Sequence, residues 1–248
     1  MSKNFELLQQ VGKEQAIFSN TVLPAQEVFD ERPATLGSVP GPQVSGGAEE
    51  IGALVQRIFP LSSKQSSHAV VFSGTESGTG CTWVCAHAAQ VLANQVSASV
   101  CLVDANLRAP RLHEQFGVAN HHGLSDALLQ PEPIEHFVSR LSPPNLAILS
   151  CGGVIDSART LLTSNRMSAR LAELRAIFDY VLIDASPRDA AVLAGASDGL
   201  VLVLKANSSR KETVRNAVRQ IQAANVKILG AVLNQRTFPI PEGLYRRL

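Results

Sequence analysis

The sequence lacks any apolar run of the roughly 18–20 residues that a membrane-spanning helix needs. Residues 1–10 also lack the apolar stretch of a secretory signal peptide. The chain has only four cysteines, and they do not form the paired Cys-x-x-Cys spacing of a zinc site. We therefore expect a cytoplasmic protein whose thiols stay reduced and serve as small buried side chains.

The chain also has little net charge. A formal net charge of +1 predicts neither a nucleic-acid binder nor a strongly acidic protein. The charges are nevertheless unevenly distributed: residues 205–248 hold nine Lys or Arg against two Glu, a net of +7. Residues 1–60 hold four Lys or Arg against seven Asp or Glu, a net of −3. A basic end suits a membrane surface, an acidic partner or nucleic acid, and it equally suits a solvated helix face.

Strands and helices alternate from about residue 67 onward. The predicted strands are 69–73, 99–104, 146–150, 180–184, 199–204 and 227–233. They are continuous Val/Ile/Leu runs, which is typical of parallel strands whose two faces are both covered by helices. The prediction is an α/β fold with a doubly wound, mainly parallel sheet over residues 48–248. Residues 1–47, rich in Pro, Gly and Ser, are predicted to be a flexible N-terminal extension that folding does not need.

A glycine-rich segment, Ser73–Thr82, joins the first of these strands to a helix. Such loops let backbone N–H groups converge on phosphate oxygens at a helix N-terminus. The full phosphate-loop pattern ends in Gly-Lys-Ser/Thr, whereas this one ends in Gly80-Cys81-Thr82. Cysteine supplies no positive charge to the phosphates, so the sequence predicts that nucleotide binding is weakened or lost.

Two predicted strands end in an acidic residue, Asp104 and Asp184. In open parallel sheets, ligands bind outside the carboxyl ends of the strands, so both side chains and the glycine-rich loop should meet at one edge. Carboxylates there can bind Mg²⁺ and orient an attacking hydroxyl. Each Asp alone has a second interpretation, because Asp is also a common helix N-cap.

Together these motifs resemble those of a known family. The relevant segments are LVDANLRAPRLH (102–113), GLSDAL (123–128), FDYVLIDASP (178–187), SDGLVLVL (197–204) and GAVLN (230–234). In order and spacing they resemble the cytoplasmic bacterial tyrosine kinases of capsule and exopolysaccharide synthesis. That family belongs to the MinD/ParA-like branch of P-loop NTPases, so the resemblance implies the P-loop NTPase-like form of the doubly wound fold.

The resemblance implies roles for individual residues, with ATP and Mg²⁺ as cofactors. Gly78, Thr79, Gly80, Cys81 and Thr82 would hold the nucleotide phosphates. Asp104 and Asp184 would be the catalytic carboxylates, with Asp184 and Thr82 as the Mg²⁺ ligands. Asn234 would lie where the adenine is approached.

The resemblance also implies partners and a location. The soluble kinases of the family that this sequence resembles work beside a membrane-anchored polysaccharide co-polymerase or adaptor. We therefore expect a cytoplasmic protein that reaches the inner membrane through such a partner, with homo-oligomerisation as a further expectation and no nucleic-acid partner. Tyr245 is the candidate phospho-acceptor, because the other tyrosine, Tyr180, falls inside a predicted strand.

Several positions depart from the family pattern. Cys81 replaces lysine, Asn106 stands where many relatives carry a second Asp, and the stretch 187–198 is short. A Glu-x-x-Arg-x-x-Arg oligomerisation pattern in the preceding helix is not kept, since Ala53 and Gln56 follow Glu50. Each departure weakens a particular activity of the family and leaves the fold unaffected.

Three functions therefore remain open from the sequence. The first is a weakened or non-catalytic relative that regulates or docks within a polysaccharide synthesis and export complex. The second is an active protein-tyrosine autokinase in which another cation, such as Arg108 or Arg111, replaces the missing lysine. The third is a partitioning-type ATPase, which is disfavoured because residues 73–76 lack the additional lysine such loops carry.

Overall fold

The computed structural model describes residues 22–24, 45–59, 69–153 and 158–236. Its strands are β1 (Val22–Pro24), β2 (Ala69–Gly74), β3 (Val100–Asp104), β4 (Ser139–Arg140), β5 (Leu146–Leu149), β6 (Tyr180–Ala185), β7 (Gly199–Lys205) and β8 (Ile228–Arg236). Its α-helices are α1 (Ser45–Ile58), α2 (Cys81–Gln95), α3 (Leu112–Phe116), α4 (Leu124–Leu129), α5 (Ala158–Leu162), α6 (Asn165–Ile177), α7 (Ala190–Gly195) and α8 (Lys211–Ala223). A 3₁₀-helix covers Ile134–Phe137.

The strands form one eight-stranded sheet in the order β1-β8-β7-β2-β6-β3-β5-β4. All pairs are parallel except the short edge strand β4, which runs antiparallel to β5. The central strands are buried along their whole length. The predicted α/β fold with a doubly wound, mainly parallel sheet is thus confirmed.

Helices cover both faces of the sheet, as the continuous apolar strands predict. Alternate residues of β2 enter two separate cores: Val70 and Phe72 pack with α1 and α2, whereas Ala69 and Val71 pack with α6, α7 and α8. Since every second residue of a strand points to the same face, the same alternation decides to which face the side chains at the strand ends point.

The strand order decides which loops share the carboxyl edge of the sheet. β2 lies between β6 and β7, so the glycine-rich loop that follows β2 is flanked by the ends of both. Asp104 and Asp184 are Cα partners on the adjacent strands β3 and β6. The loop and both acidic strand ends therefore lie at the edge of the sheet that was predicted to hold the ligand.

The structure adds elements that the apolar patterns do not indicate. β1 lies within the predicted extension and pairs with β8, and α1 begins at Ser45, a few residues before the predicted boundary. The short α3, α4, α5 and β4 were not predicted, because two to six residues cannot display a period. The division at residue 47 stays a prediction, and residues 237–248, including Tyr245, lie outside the described ranges. Within those ranges no helix has both the length and the apolarity to cross a bilayer.

Removing residues 1–44 deletes β1 and exposes the edge of β8, which β1 pairs at Val22 and Pro24. We expect melting to stay cooperative and the midpoint to fall by about 2–4 °C, the effect of losing roughly 1 kcal/mol in a domain of this size. Thermal unfolding followed by circular dichroism measures this. Removal of residues 1–20, which keeps β1, is the control, and an equal fall in both variants would contradict a role for β1.

Candidate nucleotide site

The glycine-rich loop crosses from β2 to α2 in a conformation that requires two of its glycines. Gly78 and Gly80 have φ values of 81° and 77°, in the left-handed region that non-glycine residues rarely adopt. A Cβ atom on Gly80 would also collide with the side-chain amide of Asn234. No side chain caps the N-terminus of α2, so its first N–H groups are left for a ligand. The backbone therefore has the form of an anion-binding loop.

Side chains from β8 and from the segment after β7 hold this loop in place. The Asn234 amide, on β8, donates to the carbonyl of Thr79 at 2.9 Å. The Ser209 hydroxyl, just after β7, donates to Glu76 Oε1 at 3.0 Å. The loop is thus fixed on both sides of Gly78 by the protein alone. The predicted contact of Asn234 with adenine stays a prediction, because in this structure its amide binds the loop backbone.

Cys81 occupies the lysine position and begins α2. Burial, followed by the nearby Asp184 carboxyl and Cys85, raises the pKa of its thiol well above the usual value. The thiol is therefore neutral at physiological pH. It neither attracts phosphate as a lysine would nor repels it as a thiolate would.

Asp184, near the end of β6, is 2% exposed. Burial raises its pKa to about 6, and the nearby Thr82 hydroxyl and Cys81 thiol offset part of that rise. The Oδ2 atom is buried and has no hydrogen-bond partner among the described residues. Such an unpaired buried oxygen costs free energy unless a cation or proton occupies it.

Asp184 and Thr82 suit the Mg²⁺ that the resemblance implies. Mg²⁺ prefers oxygen ligands and usually takes only one or two carboxylates, the rest being waters and substrate phosphates. In the described ranges no three His, Cys, Asp or Glu side chains gather to form a denser metal site. One carboxylate with a free oxygen and one neighbouring hydroxyl therefore fit Mg²⁺ bound together with a nucleotide.

Asp104 is equally buried but its oxygens are used differently. They accept three backbone N–H groups, from Asn106 at 3.2 Å, Arg111 at 3.1 Å and Leu112 at 3.0 Å. Burial and the nearby Asp184 still raise the pKa of Asp104 to about 7. Through these contacts Asp104 holds the loop before α3, although Arg111 and not Asp104 is the N-cap residue of that helix. Its catalytic role stays a prediction.

Among the described residues, the guanidinium groups of the two arginines considered as substitutes for the missing lysine form no ion pair with Asp104 or Asp184. Arg108 and Arg111 are exposed, and within the described residues neither guanidinium forms an ion pair. Both follow β3, which β6 separates from β2 and its loop. The pKa values of Asp104 and Asp184 accordingly show no influence of a neighbouring cation.

The raised pKa of Asp184 predicts a pH-dependent cost to stability. Since the native carboxyl holds its proton to about pH 6 and the unfolded one only to about 4, stability falls as pH rises through this window. Asp184→Asn removes the ionisation, so we expect the free energy of unfolding to rise at pH 8 by on the order of 1–3 kcal/mol.

Urea unfolding at pH 4 and pH 8 measures this effect. The gain should largely disappear at pH 4, where the native carboxyl is protonated and the unfolded one is about half protonated. Glu135→Gln, at an exposed position, is the control and should change little at either pH. If Asp184→Asn changes the free energy of unfolding equally at both pH values, burial of the ionised carboxylate does not destabilise the native protein.

Comparison with known proteins places this site in a family. No family model matches the chain. The tyrosine-protein kinase YwqD of Bacillus subtilis is 31% identical over 170 residues, which cover 67% of this chain and 71% of YwqD. EpsB of Ralstonia nicotianae is 34% identical over 172 residues, which cover 68% of this chain but only 23% of EpsB.

The fold agrees with this relationship. The kinase domain of Escherichia coli tyrosine kinase ETK superposes with a TM-score of 0.79 at 23% identity, covering 93% of this chain and 96% of that domain. The glycine-rich loop, the acidic strand ends and the similarity to YwqD over most of both chains support one conclusion. This chain belongs to the family of bacterial tyrosine-protein kinases.

Proposed function

We propose that this protein is a weakened or non-catalytic member of the tyrosine-kinase family, which regulates or docks within a polysaccharide synthesis and export complex. The observation that supports this most directly is the neutral Cys81 thiol, which lies near Asp184 at the position where the family pattern has lysine. With no cation at that point, the site places two buried carboxyls beside the loop that would hold phosphates.

The size of the expected defect follows from the chemistry. Phosphoryl transfer depends almost wholly on positioning and on neutralising the charge of the transferring group. Losing one preorganised donor to that charge costs about 3–4 kcal/mol of barrier. This corresponds to a rate lower by roughly 10²–10³, which turns a slow kinase into one with little activity.

A second candidate, an active autokinase, is favoured by what the site retains. The left-handed glycines, the uncapped start of α2 and the Thr82–Asp184 pair are the parts that bind phosphate and Mg²⁺. These features support weak binding of Mg²⁺-ATP. The difference between the two candidates is therefore a difference in affinity and rate, which titration and phosphorylation assays measure.

The proposed partner is a membrane-anchored polysaccharide co-polymerase or adaptor. The uneven charge supports an acidic or membrane-adjacent partner, since Arg210, Lys211, Arg215 and Arg219 are exposed on or beside α8. Apolar Val214, Val218 and Ile221 of the same helix are buried. A helix whose inner stripe packs on the sheet and whose outer side is basic offers a surface for negative charge.

For nucleotide binding, we expect weak affinity in the unmodified chain, with a Kd above about 100 µM, and a gain of about ten- to a hundredfold in Cys81→Lys. The gain comes from a charge-assisted contact to phosphate. Calorimetric titration with Mg²⁺-ATP measures both values. Cys81→Ala is the matched control and should bring no gain, and low-micromolar binding by the unmodified chain would contradict the proposal.

For phosphoryl transfer, we expect no detectable phosphotyrosine when the unmodified chain is incubated with Mg²⁺-ATP. Cys81→Lys should become labelled, because the restored cation stabilises the transferring phosphate. Adding Tyr245→Phe to that variant should remove most of the label, and adding Asp184→Asn should remove all of it. Immunoblotting or mass spectrometry measures the modification. Strong labelling of the unmodified chain would favour the active autokinase.

A further inference from the structure

The phosphate loop of this protein lacks its own cation, yet β7, the strand beside β2 in the sheet, ends in a lysine next to the loop. We propose that Lys205, the last residue of β7, contributes the positive charge that the loop lacks at Cys81 and binds the phosphate groups of a nucleoside triphosphate. This inference rests on the proposed function, namely a site that retains weak affinity for such a ligand.

The strand order brings Lys205 to the correct place. β7 pairs directly with β2, and Gly74, from which the loop departs, is the Cα partner of Val203. Lys205 therefore lies on the neighbouring strand, two residues beyond the one that pairs with the start of the loop. Arg108 and Arg111 follow β3, which lies two strands from β2.

The alternation of β7 gives the side of the sheet. Val201 and Val203 pack into the core that includes α2, whereas Leu202 and Leu204 pack into the opposite core. Because side chains alternate along a strand, Lys205 continues the row of Val201 and Val203. Its side chain thus lies on the face covered by α2, the helix that the phosphate loop opens.

Two hydrogen-bonded links join Lys205 to the loop. Its Cα partner on β8 is Asn234, whose amide donates to the Thr79 carbonyl at 2.9 Å. Its own backbone N–H donates to the Ser209 hydroxyl at 3.0 Å, and that hydroxyl donates to Glu76 at 3.0 Å. The two links reach the loop on either side of Gly78, so the long, flexible lysine stem starts next to the loop.

The charge of Lys205 is available to a ligand. The residue is half-buried, and among the described residues its ammonium has no ion pair or hydrogen bond. Glu76 is the acidic residue of the loop, and through Ser209 it is held on the Lys205 side. The carboxylate and an incoming phosphate would compete for the same cation, and a triphosphate carries more charge.

Calorimetric titration with Mg²⁺-ATP of the unmodified chain and four variants tests this assignment. We expect Lys205→Met to weaken affinity about tenfold, the effect of losing one charge-assisted contact. Lys205→Arg should stay within about threefold, because it keeps the charge. Glu76→Gln should tighten binding, because it removes the competing carboxylate and still accepts the Ser209 hydrogen bond. Lys227→Met, at the other end of the same two strands, is the matched control and should change nothing.

The outcomes separate this inference from the proposed function. Unchanged affinity in Lys205→Met, with melting as in the unmodified chain, overturns the role of Lys205 only. Absence of any binding at millimolar Mg²⁺-ATP also overturns it and leaves the docking function standing. Tight binding by the unmodified chain that Lys205→Met abolishes supports the role of Lys205 and contradicts a weakened enzyme. Should Lys205→Met not fold, the other two variants decide. Retained affinity in Lys205→Arg together with tighter binding by Glu76→Gln supports the role of Lys205, and a failure of either result overturns it.

Discussion

The parallel pairing of β2 with both β6 and β7 is the constraint on which the rest of this site depends. It places the loop after β2 between the ends of two buried strands, each contributing a charged residue. Asp184, on β6, lies on one side of the loop, and Lys205, on β7, lies on the other. The side chain of Asn234, on β8, contacts the loop backbone. None of these residues is near another in sequence, so the sheet alone creates their proximity.

Within that frame, the Cys81–Asp184 contact has electrostatic consequences beyond one lost interaction. A lysine next to Asp184 would favour its ionised form, whereas the thiol is neutral and leaves burial to dominate. The neighbouring Asp104 satisfies its oxygens with backbone N–H groups, but Asp184 keeps one oxygen without a partner. The site is therefore poor in positive charge, and a cation bound there would relieve a cost already present in the folded protein.

Local patterns predict the parts of the site that are encoded within one segment. The glycine-rich loop, Thr82 and the two acidic strand ends can be located because each follows an apolar strand at a recognisable spacing. The sheet itself follows from the continuous Val/Ile/Leu runs. The same pattern cannot distinguish the role of Asp104 from that of Asp184, since both end a buried strand. Only the contacts in the structure show that Asp104 holds a loop and that Asp184 has an oxygen without a hydrogen-bond partner among the described residues.

Features that depend on strand order could not be predicted from the sequence. The Ser209–Glu76 hydrogen bond joins residues 133 positions apart, and nothing in either segment indicates the other. Lys205 looks like a polar residue at the end of an apolar run until β7 is known to lie beside β2. The edge strand β1 has three residues, and its two ladder pairs depend on β8 rather than on its own sequence.

The hydrogen bonds that Asn234 and Ser209 make to the phosphate loop have a consequence for signalling. In a nucleotide switch, the loop or its neighbours change shape with the ligand, and a partner senses that change. Here the side chains of Asn234 and Ser209 hold the loop on both sides of Gly78. Contacts of this kind limit how far a ligand can reshape the loop, so a partner that recognises this surface would respond less to ATP than the partner of a nucleotide switch does.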